Sequence, residues 1–211
     1  MSGWTRHTGL AIALDRESID TDQIIPARFM STPRSQGYGG FLMRDLRFDA
    51  NDEPVPDFPL NRMPEASVLV TRRNFGSGSS REAAVYALVD FGIRVVIAPS
   101  FGDIFASNSV NNGLLAARVD SGLVDQLIAR LAGGSAEATV DLNDQTILVA
   151  GMTIPFSLDE VWRQKLINGW DDIDLTQQHR DAIAAYRAKR KAIQTWAFPV
   201  AETDPESAAQ T

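Results

Sequence analysis

The chain has 211 residues, 44% of them hydrophobic and 22% charged, a balance that suits one compact domain with a sizeable core and a short C-terminal extension. Its net charge of −7, from 27 acidic and 20 basic residues, disfavours an extended basic track for nucleic acid, and the absence of cysteine excludes disulfides and a thiol nucleophile. No apolar run approaches the roughly 20 residues of a membrane span, and the opening Met-Ser-Gly-Trp-Thr-Arg-His lacks the apolar region of a secretory signal. The expectation is a cytoplasmic protein with no membrane or nucleic-acid partner.

From Thr8 to Leu14, Leu10, Ile12 and Leu14 fall on alternate positions, the pattern of a half-buried strand with His7 at its lip. The other histidine, His179, is far along the chain, so no histidine pair has metal-ligand spacing and no metal site is expected. Asp20-Thr21-Asp22-Gln23 favours a turn or helix start, with Asp22 either capping a short helical turn or facing a ligand. Residues 28 to 40 contain Pro33, Ser35, Gly37, Gly39 and Gly40, which resist regular structure and predict a mobile loop. Its Arg28 and Arg34 are candidates to guide an anionic substrate, against the commoner role of a solvated surface arginine. The acidic, proline-rich stretch from Phe48 to Pro64 reads as an irregular insertion before the central strand.

Val68, Leu69 and Val70 form a short apolar run, and Ala83 to Phe91 predicts a helix that Gly92 stops. Between them lies Asn74-Phe-Gly-Ser-Gly-Ser-Ser-Arg-Glu82. Gly76 and Gly78 permit close backbone approach, and Ser79 with Glu82 has the spacing of a capping box, which predicts a helix N-terminus opening at Ser79. The amides of that first turn, the hydroxyls of Ser79 and Ser80 and the planar fork of Arg81 then make an anion-binding corner. The plainer alternative is that Ser79 only caps the helix and Arg81 only pairs with a surface acid. Dinucleotide-binding, P-loop and nucleophile-elbow patterns all fail on this spacing.

Further on, Arg94 to Ala98 predicts a buried strand, Phe101 to Asn112 a helix stopped by Gly113, Leu114 to Val119 a strand and Leu123 to Leu131 a helix. After Gly133-Gly134, short strands are expected at 138–142, 146–150 and 152–155, with Asn143-Asp144 at a hairpin turn. Strands at both ends with βαβ units between them suit an α/β fold, a β/β/α three-layer sandwich. Ser157-Leu-Asp-Glu160 has capping-box spacing before a helix through Lys165, and a longer helix is expected from Thr176 to about Trp196. Its basic run, Arg187 to Lys191, reads as a solvated face. The expected divisions are a main domain at 1–156, a helical extension at 157–199 packed on it, and a disordered polar tail at 200–211.

The nonapeptide resembles the Gly-Ser-Ser-Arg-Glu motif of the swivelling domain of the aconitase family. Three more stretches match in the family's order: Asp20-Thr-Asp-Gln-Ile-Ile-Pro26, Arg94-Val-Val-Ile-Ala-Pro-Ser-Phe101 with Asp103-Ile-Phe105, and Asn112-Gly-Leu-Leu115. Within the family the chain is most similar to the small subunits of isopropylmalate isomerases, and 171–191 resembles their C-terminal segment. The resemblance implies a hydro-lyase that removes water from a hydroxy diacid and returns it to the neighbouring carbon, in leucine biosynthesis. It places Ser79 as the base, as an alkoxide, and Arg81 as a carboxylate clamp. Gly78, Ser80 and their amides are secondary contacts, Asp22 lies beside the site, and the 28–40 loop closes over the substrate's variable side chain. Without cysteine the chain supplies no thiolates, so the resemblance implies that a [4Fe–4S] cluster sits on a large subunit, with this chain completing a heterodimer. Many relatives carry Cys where this chain has Ser77 and His where it has Ala83. Those departures leave open a related citraconate- or dimethylmalate-type diacid, and a non-catalytic carboxylate-binding domain is the reading from a different class.

Overall fold

The computed structural model describes residues 2–198, so the expected tail at 200–211 lies outside the described residues. Two compact units divide between Asp171 and Asp172 rather than at residue 157. In the first, strand β1 (Arg6–Leu14) is followed by the short helices α1 (Thr21–Ile24), α2 (Arg44–Arg47) and α3 (Pro59–Arg62). Then come β2 (Val68–Thr71), α4 (Ala83–Phe91), β3 (Val95–Ala98), α5 (Asp103–Asn111), β4 (Leu115–Arg118) and α6 (Ser121–Arg130). The antiparallel strands β5 (Ser135–Asp141), β6 (Thr146–Val149) and β7 (Met152–Pro155) precede α7 (Glu160–Asn168).

All seven strands join one sheet in the order β4-β3-β2-β1-β5-β6-β7. β1 to β4 run parallel, with Ala11 opposite Val68, Val68 opposite Val95 and Val95 opposite Leu115. β1 also pairs antiparallel with β5, so a βαβ half and a meander share one central strand. The parallel strands read as continuous apolar runs because both faces are covered. Ile12, Leu69, Val96 and Ala98 pack with α1, α4 and α5 on one face. Ala11, Val68, Val70 and Ile97 pack on the other with α6 and with Val140, Ile147, Val149 and Ile154. Those last four belong to β5–β7, so the sheet curls to supply both β layers of the sandwich.

The second unit contains α8 (Asp172–Gln177), which was not expected, and α9 (Arg180–Ile193), which falls within the helix expected from Thr176 to about Trp196. On α9, Ile183, Tyr186 and Ile193 are exposed together with the basic run.

Segments expected to be irregular have defined anchors. In the Phe48–Pro64 stretch, Phe58 and Leu60 are buried in the core, and Asn61 donates to the carbonyls of Arg47 and Val55 at 2.6 and 3.0 Å. The 28–40 segment, expected to be mobile, winds through three short 3-10 turns held against α4. Tyr38 N–H donates to Asp90 Oδ2 at 2.8 Å, and the Arg34 guanidinium stacks 3.5 Å over the Tyr86 ring.

Candidate active site

Loops leaving the C-terminal ends of β1, β2 and β3 converge at one edge of the parallel half, where open α/β sheets place their ligand crevices. The parallel pairing continues past the strand ends through bridges Asp20–Ser77 and Phe75–Phe101. Gly76 N–H donates to the Ile19 carbonyl at 2.7 Å, Thr21 N–H to Ser77 at 2.9 Å, and Gly102 N–H to Phe75 at 2.9 Å. Asn74 enters the loop at φ +65°, a conformation uncommon for a residue with a side chain, held by the Ser100 and Ser18 hydroxyls.

Glycine is dictated by space at two points. Gly76 has φ +72°, and a Cβ there would overlap the Phe105 ring. At Gly102 a Cβ would lie 2.6 Å from the Gly76 carbonyl oxygen. The two loops therefore touch backbone to backbone over a floor of Phe75, Phe101 and Phe105, which stack or meet edge to face.

Above that floor is a cleft of about 520 Å³ lined by Gly76 to Ser80 and by Gly102 to Phe105. No side chain caps the helix at Gly102, so the first turn of α5 presents its amides to the cleft. That turn differs from the one expected. Helix α4 begins at Ala83, as its apolar pattern predicts, with Glu82 at its N-cap position and no side-chain cap, so the N-cap expected at Ser79 is three residues too early.

The reason is tertiary. Ser79 Oγ lies 2.7 Å from Thr21 Oγ1 on α1, and the Glu82 carboxylate accepts from Asn112 Nδ2 at 2.8 Å. Each side chain of the expected capping box is spent on a distant element. Ser79 is half-buried and stands on the cleft wall with Gly78 and Ser80.

Arg81 turns away from the cleft lining to an ion pair with Asp22, made by Nη1 alone. Arg28 is taken by Asp45 and lies over Phe29, and Arg34 by Asp90 and Tyr86. The structure thus brings Ser79, Ser80, Gly78, Arg81 and Asp22 together, and it leaves Arg28 and Arg34 on other partners. Missed by the sequence reading were Thr21 and the α5 turn. Both fall within matching stretches, but neither had a signal that aimed it at Ser79 or at the cleft.

Residues 1–122 match the aconitase C-terminal domain family. A 3-isopropylmalate dehydratase small subunit from Shouchella clausii is 47% identical over 190 residues, 89% of this chain and 96% of the relative. One from Shewanella baltica is 47% identical over 202 residues, 93% of this chain and 99% of the relative. The chain belongs to the 3-isopropylmalate dehydratase small-subunit family. A solved 3-isopropylmalate dehydratase structure from Methanocaldococcus jannaschii superimposes with a TM-score of 0.64 at 28% identity, over 86% of this chain and 99% of that one.

Two features of this small-subunit family member stand out against the resemblance. Ala83 is buried as the first residue of α4, so that position offers no ionisable side chain to the loop. Among the described residues no group of three or more His, Cys, Asp or Glu side chains is placed to hold a metal, and the sequence has no cysteine to supply the thiolates of an iron–sulfur cluster. Among the described residues, too, no helix is long and apolar enough to cross a membrane.

Proposed function

We propose that this chain is the small subunit of a two-subunit 3-isopropylmalate dehydratase, a hydro-lyase of leucine biosynthesis working in the cytoplasm. In this reading it provides half of the site at which 2-isopropylmalate and 3-isopropylmalate interconvert by loss and return of water. Ser79 Oγ, as the alkoxide, accepts the proton from the substrate carbon. A free serine is too weak a base for this, but the glycine-rich wall and the uncapped α5 turn favour negative charge there. Arg81 holds a substrate carboxylate with the guanidinium nitrogens that Asp22 leaves open, and Asp22 fixes the direction of the fork. Ser80 and the amides of Gly78 to Ser80 flank the same anion. The large subunit carries the [4Fe–4S] cluster, which supplies the Lewis acid for the departing hydroxyl.

The observation that carries this reading is the pairing of the cleft with the relatives. Near half identity extends over nine-tenths of the chain, and the glycine-walled cleft is built from stretches that carry the family resemblance. The test is reconstitution. The chain alone should show neither dehydratase activity nor iron–sulfur absorption, and activity should appear on adding a large subunit anaerobically. Turnover by the chain alone would overturn the split site.

A related diacid is the second reading, favoured by Ala83 and by the anchoring of the 28–40 segment through Arg34 and Tyr38 on α4. We infer that this segment reaches the substrate's variable carbon in the assembled pair. Apolar pockets separate substrates differing by one methylene by only about 1–3 kcal/mol, so few changes shift preference. Ratios of kcat/KM for 3-isopropylmalate, citramalate and dimethylmalate, before and after exchanging residues 28 to 40 with a relative's, decide between the diacids.

A further inference from the structure

We propose that Thr21 is a positioning residue for the reaction: its hydroxyl sets the direction of Ser79 Oγ and donates to it when Ser79 is the alkoxide. The inference rests on the reading of Ser79 as the base. Three observations carry it.

The first is exclusivity. Among the described residues, Ser79 Oγ has one hydrogen-bond partner, Thr21 Oγ1 at 2.7 Å, and Thr21 Oγ1 has no other. A pair of hydroxyls with no third group can order its protons either way. When Ser79 carries a proton, either oxygen can donate. When Ser79 is deprotonated, only Thr21 can, and the bond becomes a charge-assisted O–H···O⁻, shorter and stronger than the neutral one.

The second is rigidity. Thr21 is 1% exposed and β-branched, so packing restricts its χ1 and with it the place of Oγ1, leaving the hydroxyl proton free to turn toward Ser79. It sits on a turn closed by a reciprocal capping box, in which Gln23 N–H donates to Asp20 Oδ1 at 2.8 Å and Asp20 N–H to Gln23 Oε1 at 3.2 Å. Ile24 and Ile25 anchor the turn in the core, and Met43 N–H donates to the Ile24 carbonyl at 2.8 Å.

The third is register. Thr21 N–H donates to the Ser77 carbonyl at 2.9 Å, so the backbones of the two loops are fixed against each other two residues before Ser79. The neighbouring Asp22 takes Arg81. Consecutive residues of one turn therefore hold the base and the clamp.

The proton count is simple. In the step, the proton leaves the substrate carbon for Ser79 Oγ while the C–H electron pair stays on carbon. Thr21 keeps its own proton throughout, so it lowers the cost of the alkoxide without exchanging anything.

The experiment uses the pair reconstituted with a large subunit and four variants of this chain: Thr21→Val, Thr21→Ser, Ser79→Ala and the double variant Thr21→Val with Ser79→Ala. Thr21→Val keeps the shape and removes the donor. It should lower kcat about 10- to 100-fold, the worth of one hydrogen bond to a charged oxygen, with KM changed less than about 2-fold. The ascending limb of the kcat–pH profile should move to higher pH, because the alkoxide has lost its donor. Thr21→Ser should restore both the rate and the limb to near the parent. In a Ser79→Ala background, Thr21→Val should cost nothing further.

If Thr21→Val leaves kcat and the limb in place, or if Val and Ser lose rate equally, the hydroxyl has no such role and the proposal fails. Should Thr21→Val not assemble, Thr21→Ala against Thr21→Ser makes the same contrast between hydroxyl lost and hydroxyl kept. Near-normal turnover by Ser79→Ala alone would remove the underlying base assignment instead, which separates the two failures.

Discussion

The two ends of the parallel half both carry a polar recess, and they are built differently. At the C-terminal ends of β1–β3 the recess is walled by glycine and serine backbone, and the polar side chains on and beside it keep hydrogen-bonding capacity in reserve. Among the described residues Ser79 Oγ hydrogen-bonds to Thr21 alone, and Arg81, just outside the cleft lining, spends one guanidinium nitrogen on Asp22. At the N-terminal ends a smaller recess of about 180 Å³ gathers Trp4, His7, Arg94 and Asn112. There the polar groups are largely spent on the fold. His7 Nε2 meets Ser67 Oγ at 2.8 Å, Trp4 Nε1 donates to the Gly113 carbonyl at 3.3 Å, and Asn112 holds Glu82 and the Asn108 carbonyl. A cluster of chemically capable residues is not a site until some of that capability is left over; in the second recess that leaves the exposed Arg94, whereas the first keeps it on a glycine wall that a ligand can approach closely.

The sharpest way to break this comparison is to remove the group held in reserve. On the reconstituted pair, Ser79→Ala should lower kcat by about 10²- to 10⁴-fold, the range for a general base, and leave KM nearly unchanged. Ser79 does not cap α4, but its removal leaves the buried Thr21 hydroxyl without its partner, at a cost of about 1–3 kcal/mol. The melting temperature is therefore measured beside the rate, and the kinetic loss should far exceed what partial unfolding gives. The wall comes next. Gly76→Ala forces a side chain into φ +72° and against Phe105, and it should destabilise the chain by about 3 kcal/mol. Thermal unfolding measures this, and a melting temperature unchanged within error would mean that the loops are not in backbone contact.

Arg81→Lys should raise KM about 10-fold or more with a smaller change in kcat, since a point charge cannot reproduce two parallel hydrogen bonds to a carboxylate. Asp22→Asn should move KM in the same direction by less, because it frees the fork without shortening it. Should Asp22→Asn instead tighten substrate binding, the ion pair competes with the substrate and does not position Arg81.

Why some of this was legible in the sequence and some not follows from where each signal is stored. Strands β2, β3 and β4 are buried on both faces, and their apolar runs between glycine and proline stops place them within a residue or two. The β6–β7 hairpin is equally local, and its strands fall close to the expected positions. Caps were read badly, for two reasons: a distant partner takes Ser79, and a nearer acid displaces Ser157. Both serine-led capping boxes are false: Ser79 serves Thr21, and α7 is capped by Asp159, whose carboxylate accepts from Val161 and Trp162. The true reciprocal box is Asp20 with Gln23, on a helix of four residues that periodicity cannot detect. A cap is a choice among hydrogen-bond partners, and when a partner 58 residues away lies at 2.7 Å the local pattern loses. The same holds for the Arg28–Gly40 segment, whose glycines promised mobility while Asp90 and Tyr86 on α4 had already claimed Arg34.

The smallest expected effect tests the other recess. His7 is half-buried against Ser67 and beside Arg94; burial first, and the guanidinium second, hold its pKa below the ordinary 6.5. Above pH 6.5 the ring is neutral in both the folded and the unfolded chain, and it adds no pH dependence. As pH falls from there toward the lowered native value, the unfolded chain binds the proton first, so the folded state loses stability over that window. Urea unfolding of the parent chain should therefore show stability declining below pH 6.5, and His7→Gln, which keeps a hydrogen-bonding side chain of similar reach, should flatten the decline. Activity of the reconstituted pair at neutral pH should not change, because the imidazole stands at the opposite end of β1 from Ser79. A fall in kcat on His7→Gln with the melting temperature intact would mean that the two ends are not separate, and the contrast between a spent recess and a reserved one would have to be abandoned.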